Sequence, residues 1–192
     1  NTSDKQAETQ NQSQRDLLLL CIILGSLAAC DTQPEDNTPV HVDYVEQIKL
    51  DMNSETLKQE VTVKAYIDGD TTHFYVPAGF DSMGYIKARY LAVNTPESTG
   101  KIEVWGKKAS KFTREKLESA ESIIIESDTA EWNADSTGDR YLVWVWYKTA
   151  DMTDYRNLNV EILQNGLAIA SNSNNNIYGS ICMSAIDQAR QM

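Results

Sequence analysis

Histidine and cysteine are scarce in this chain of 192 residues, and the sites they build are excluded with them. His41 and His73 are too few and too far apart for a zinc centre, which needs three or four convergent nitrogen or sulfur ligands. Cys21 and Cys30 lie in the N-terminal stretch, so the remainder keeps one thiol, Cys182. That residue has no disulfide partner there and no Cys–His pairing to activate it. No glycine-rich loop of the P-loop or Rossmann kind is present. Positive charge is short as well: 17 Lys+Arg against 28 Asp+Glu leave a net charge of −11. A surface of that sign repels a polyanion, so a nucleic-acid role would need locally concentrated cations or a metal ion.

Long apolar runs are also missing, with one exception. Leu17–Ala29, "LLLLCIILGSLAA", is too short to span a bilayer but has the length of a signal h-region. Cys30 follows it, and the resulting "LAAC" resembles a bacterial lipobox and implies lipid modification at Cys30. Its flank is unusual, because Asp16 offsets Arg15. The expected organisation is an N-terminal extension and signal peptide over 1–29, then a lipidated cysteine and flexible tether over 30–39. A single domain over 40–192 follows. The chain is expected at the cell envelope, exported and lipid-anchored to a bacterial membrane or secreted, with no other membrane contact. The tether "DTQPEDNTP" is polar, acidic and interrupted by proline.

A hydrophobic fraction of 41% is enough for one core. Alternating β-branched segments predict strands at Val61–Ile67, Thr72–Val76, Tyr85–Val93, Ser122–Glu126 and Tyr141–Tyr147, with a further one within Val40–Asp51. Helical spacing predicts helices over Val104–Ala120, around Leu158–Leu163 with Gly166 as C-cap glycine, and over Ile181–Gln191. Short strands interrupted by helices fit a small closed barrel decorated by helices. Trp132, Trp144 and Trp146 read as core or rim rather than as a stacking platform.

Three polar stretches carry possible chemistry. "IDGDT" (Ile67–Thr71) has the Asp-Gly signature of a hairpin, where glycine accepts positive φ; its paired carboxylates also suit a hard cation such as Ca²⁺. "RYLAVNTPE" sets Arg89 and Asn94 five apart, an odd separation that puts them on opposite faces of a regular strand. They share a site only if the strand coils, bulges or ends before Asn94. In "GDRYLVWVW", Arg140 stands before a hydrophobic strand, either as a solvated edge guard or as a phosphate ligand.

Taken in order with "WGKKASKFTREKL" and "LNVEILQNGLA", these motifs resemble the staphylococcal nuclease (thermonuclease) family from about Val61 to Ala170. The resemblance implies an α+β fold, a five-stranded OB-fold β-barrel with three helices. It implies Ca²⁺-dependent hydrolysis of phosphodiester bonds in DNA and RNA, single strands preferred, by a monomer. Asp70 and Thr95 match metal ligands, and Asp68 a supporting aspartate behind them. Glu97 matches the carboxylate that activates or positions water, and Arg89 and Arg140 the phosphate-binding arginines. Asn94 stands where the family has a second metal aspartate, so a ligand charge is lost. Asp139 puts a competing carboxylate beside Arg140, and the family's tyrosine pair has no counterpart around Ala170–Ser173. The alternative on the same barrel is a catalytically weak or inactive module that binds nucleic acid or a protein.

Overall fold

The computed structural model describes residues 41–97, 105–171 and 175–192. Strand β1 (Lys58–Tyr66) is the long one and belongs to two walls. Its first half, Lys58–Val61, pairs antiparallel with β5 (Ser122–Glu126), and its second half pairs with β2 (Thr71–Tyr75). A bulge between Val63 and Ala65 lets the strand turn from one wall to the other. β2 runs antiparallel to β3 (Tyr85–Tyr90), and β5 antiparallel to β6 (Tyr141–Lys148). The circle closes where β3 and β6 pair in parallel, Ala88 opposite Tyr141 and Tyr90 opposite Val143. Short strands β4 (Val93–Asn94) and β8 (Ile169–Ala170) pair with each other, and β7 (Arg156–Asn157) pairs antiparallel with the end of β6. With helices α1 (Gly106–Glu118), α2 (Leu158–Gln164) and α3 (Gly179–Ala189), this is the five-stranded OB-fold barrel with three helices.

The barrel is filled from alternate positions of its strands. Ile86, Ala88 and Tyr90 on β3 point inward while Tyr85, Lys87 and Arg89 do not. β6 is buried over Val143–Tyr147, as a strand covered on both faces should be. Trp144 and Trp146 are fully buried, each indole N–H satisfied by a carboxylate, Asp128 at 2.9 Å and Glu126 at 2.8 Å. They are core residues.

Helix α2 is buried at every position. Its Asn157 cap accepts from the amide of Val160 at 3.1 Å. Gly166 follows it with φ of 66°, the left-handed conformation expected of a C-terminal glycine. Inside it, Asn159 spends all its side-chain groups on the barrel seam. Its amide donates to Leu91 O (2.9 Å) and Val143 O (3.1 Å), and its oxygen accepts from Val145 N (2.9 Å).

Two expected elements differ. Within His41–Asp51 there is no strand but one 3₁₀ turn, Tyr44–Gln47, capped by Asp43, whose carboxylate also pairs with Arg156. The strand expected to run to Val93 stops at Tyr90, because Ala92 adopts φ of 62°. The expected leader over 1–29, Cys30 and the tether to Pro39 lie outside the described residues, as do part of the expected helix start at Val104 and positions 172–174.

Replacing Asn159 by Leu leaves the Leu91 carbonyl and the Val145 amide unpartnered in a dry interior, while Val143 O keeps its bond from Leu91 N. The expected loss is about 3 kcal/mol or more of unfolding free energy, read from urea denaturation.

Candidate active site

The β1–β2 turn is built by contact rather than by backbone handedness. Ile67 N and Asp68 N both donate to Thr71 O at 3.2 Å. Gly69 is not among the glycines with positive φ, which corrects the expected reason for its presence. A Cβ there would lie 2.8 Å from both Ala109 Cβ and Thr95 Cγ2, so glycine is required by space. Thr113 Oγ1 on α1 donates to Gly69 O at 2.6 Å and holds the turn down.

That docking buries Asp70 at 2% exposure. Its Oδ2 accepts from Thr95 N at 2.7 Å, and its Oδ1 accepts from Thr71 Oγ1 at 3.1 Å and pairs with the Arg89 guanidinium. Arg89 Nη2 in turn donates to Asn94 Oδ1 at 2.9 Å. The early end of β3 makes this possible. Leu91 N donates to Val143 O and Ser171 N to Ala92 O, both 2.9 Å, so the chain reverses at Ala92 and returns Asn94 towards Arg89. Asp70, Arg89, Asn94 and Thr95 therefore form one corner. Two of its oxygens, on Asp70 and Asn94, converge on a single cation, the protein's own guanidinium.

The same turn sets Pro96 and Glu97 against the start of α1. A Cβ on Gly106 would meet Glu97 O at 2.1 Å and Pro96 O at 2.9 Å, so only glycine lets the helix begin there. Glu97 is exposed, and its charge acts on Arg89.

The facing wall comes from the loop before β6. Asp135 binds this loop together: its Oδ1 accepts from Thr137 N (3.1 Å) and Oγ1 (2.6 Å), and Gly138 N donates to Asp135 O at 2.9 Å. Arg140 Nε donates to Asp135 Oδ2 at 2.6 Å. The carboxylate beside Arg140 is thus Asp135, while Asp139, expected in that place, pairs with Lys87 at 2.5 Å. Sequence reasoning missed Asp135; its signal was an Asp-x-Thr-Gly turn five residues ahead of the arginine. A cleft of about 360 Å³ opens between the walls, lined by Arg89, Arg140, Asp135, Ser136, Leu142 and Asn176 among others.

The charges of the cleft are coupled. Burial lowers the pKa of Arg89, helped by the positive charge of Arg140 and opposed by Asp68, Glu97 and Asp135. Burial pushes the Asp68 carboxyl up, against a hydrogen bond from Thr71 and the charges of both arginines. Burial also acts to raise Asp135, but its bonds from Thr137 and Arg140 outweigh that and hold it at about 2. Among the described residues no three His, Cys, Asp or Glu side chains form a metal-binding group. The corner offers a single carboxylate with an amide and a hydroxyl, all oxygen donors, which fits a hard cation such as Ca²⁺.

A family model described as "Staphylococcal nuclease homologue" matches residues 87–192, more than half of the chain. The chain belongs to the staphylococcal nuclease family. The match takes in Arg89, Asn94 to Glu97, α1, Arg140 and α2, but begins after the Asp68–Asp70 turn. The tertiary structure brings that turn to the matched portion, through Asp70 to Arg89 and Thr95. No curated protein matches the chain. Cys30, the expected lipid site, lies outside the described residues.

Gly69→Ala should cost about 1–3 kcal/mol of stability by overpacking against Thr95 and Ala109, measured by thermal or urea melting. Asp135 gives a pH test. Its folded pKa of about 2 lies below the ordinary 3.8, so it contributes stability above about pH 4 that is lost as pH falls towards 2. The stability difference between wild type and Asp135→Asn should therefore be constant near neutrality and shrink below pH 4.

Proposed function

We propose that this protein is a Ca²⁺-dependent nuclease that hydrolyses phosphodiester bonds of DNA and RNA by attack of water. The observation that carries the reading is that Arg89 and Arg140 line one cleft, and that Arg89 also bonds to Asp70 and Asn94 of the neighbouring corner. In this reading Asp70, Asn94 and Thr95 hold the cation, with Asp68 behind them. What the bound ion supplies is Lewis-acid charge beside the scissile phosphate.

The chain's own residues do the rest. Arg140 is held through Nε by Asp135, which leaves both terminal nitrogens of its fork to bind non-bridging oxygens of the substrate. Arg89 exchanges its carboxylate partner for the phosphate and neutralises the charge that builds up in the transition state. Glu97, at the exit of the same turn, takes a proton from the attacking water or fixes its direction. No covalent enzyme intermediate is required. Export with a lipid anchor at Cys30 is part of the proposal and rests on the "LLLLCIILGSLAAC" stretch alone.

A second reading, a barrel that binds nucleic acid or a protein with little or no turnover, is favoured by one observation. The corner carries an amide, Asn94, where a second anionic ligand would strengthen cation binding.

The discriminating assay is cleavage of single-stranded DNA with Ca²⁺ and with chelator. Cleavage should require Ca²⁺, fall by about 10²-fold or more in Glu97→Gln and Arg140→Ala, and rise with Ca²⁺ affinity in Asn94→Asp. Background rates that are the same in all of these would reject the nuclease reading and leave the binding module.

A further inference from the structure

Arg89 belongs to two places at once. Its backbone is fixed on β3, with Thr71 opposite on β2 and Leu142 opposite on β6, so only the side chain is free to move. That side chain lines the cleft beside Arg140. Its guanidinium nevertheless pairs with the Asp70 carboxylate and donates to Asn94 Oδ1 at 2.9 Å. Those are the oxygens that the cation reading assigns to calcium.

The Asp70 carboxylate has little capacity to spare. Its two oxygens offer about four lone-pair directions, and Thr95 N, Thr71 Oγ1 and the Arg89 guanidinium all draw on them. Thr95 N is backbone and Thr71 is buried, so Arg89 is the donor with somewhere else to go. A calcium ion on the same oxygens, at roughly 2.4 Å from each, would stand within about 5 Å of the guanidinium nitrogens. Cations that close repel strongly even at a protein surface. Asp70 supplies the corner's one carboxylate, and Asn94 adds an oxygen without charge. The corner therefore accommodates the guanidinium or the metal, not both.

We infer that Arg89 is a tethered competitor for the cation corner, holding Asp70 and Asn94 until an anion in the cleft draws its guanidinium away. The inference rests on the cation reading of that corner and concerns what controls it. Arg140 attracts the anion first, since Asp135 holds it through Nε and leaves its fork open. Without an anion between them the two guanidiniums repel, and Arg89 stays on Asp70. With one, Arg89 turns into the cleft and the corner is released to the metal. Cation and anion then favour each other by the same factor, as linkage requires. Asn94 suits this use. Its amide accepts a bond from the guanidinium without a second charge that would make the pair harder to open.

The test titrates Ca²⁺ into the whole chain by calorimetry without nucleic acid, so that it reads binding and not turnover. Arg89→Ala should bind Ca²⁺ about tenfold tighter than wild type or more. Arg140→Ala removes an equal charge from the same cleft but none of the corner's bonds, and should change the affinity by less than about twofold. Free guanidinium ion, below denaturing concentration and against matched sodium chloride, should weaken Ca²⁺ binding to Arg89→Ala and leave wild type unchanged. It refills the place that the side chain vacated. Methyl phosphate should tighten Ca²⁺ binding to wild type by about fivefold or more, and by less in Arg89→Ala. If Arg89→Ala melts early because Asp70 is left unpaired, Arg89→Gln reads the same gain, being neutral and still a donor. No gain in either Arg89 variant, an equal gain in Arg140→Ala, or a gain that guanidinium does not reverse overturns the inference. A reversible gain without any Ca²⁺-dependent cleavage by wild type supports the competitor and sinks the nuclease reading; Ca²⁺-dependent cleavage without the gain does the reverse.

Discussion

The parallel seam between β3 and β6 is the constraint on which the molecule turns. Antiparallel neighbours can be joined by tight turns, but this seam brings together strands separated by α1 and β5, and its ladder stops after Tyr90 and Val143. Beyond that point Leu91 N still reaches Val143 O, but Leu91 O and Val145 N would face a dry interior unpaired. Asn159, on a helix buried at every position, satisfies them with one amide. A hydrophobic residue would fill the volume but leave those groups unpaired, so the seam depends on an amide at this place. The end of β3 and the reversal at Ala92 follow from the same arrangement. The barrel is closed and the corner of the cleft is formed by one structural decision.

Electrostatics in the cleft have the same economy. An acidic protein cannot keep arginines poised for phosphate by long-range field, and here each is held by a nearby carboxylate. Asp70 holds Arg89, and Asp135 holds Arg140 through Nε. Such pairing limits the entropy of two long side chains and fixes their direction. It also means that a polyanion must compete with protein carboxylates for the Arg89 guanidinium.

Much of the architecture was legible from pattern. The alternation in "YIKARY" gave β3 its inward and outward sets, and the continuous run "YLVWVWY" marked a strand covered on both faces. Gly166 was readable as a helix terminator because a C-terminal glycine has a local conformational cause. The stretch Val40–Asp51 misled because its apolar residues serve a 3₁₀ turn whose Asp43 cap pairs with Arg156, over a hundred residues away. Gly69 misled in a different manner: its dipeptide suggested positive φ, while the cause is the nearness of Ala109 and Thr95. Asp139 looked like the partner of Arg140 by adjacency, but successive residues diverge, and the turn returned Asp135 instead.

By itself, the sequence determined the inventory and its order: the strands and helices that periodicity dictates, the polar stretches at their ends, and the family they belong to. Local rules suffice for these, because side-chain period and turn chemistry act over a few residues. Only the tertiary structure decided which polar ends meet. Arg89 reaches Asn94 because the chain reverses at Ala92, and that reversal is held by Ser171 and by the seam that Asn159 completes. Asp70 joins them because a helix forty residues onward presses its turn inward. Those contacts span long separations in the chain, and no local preference encodes them.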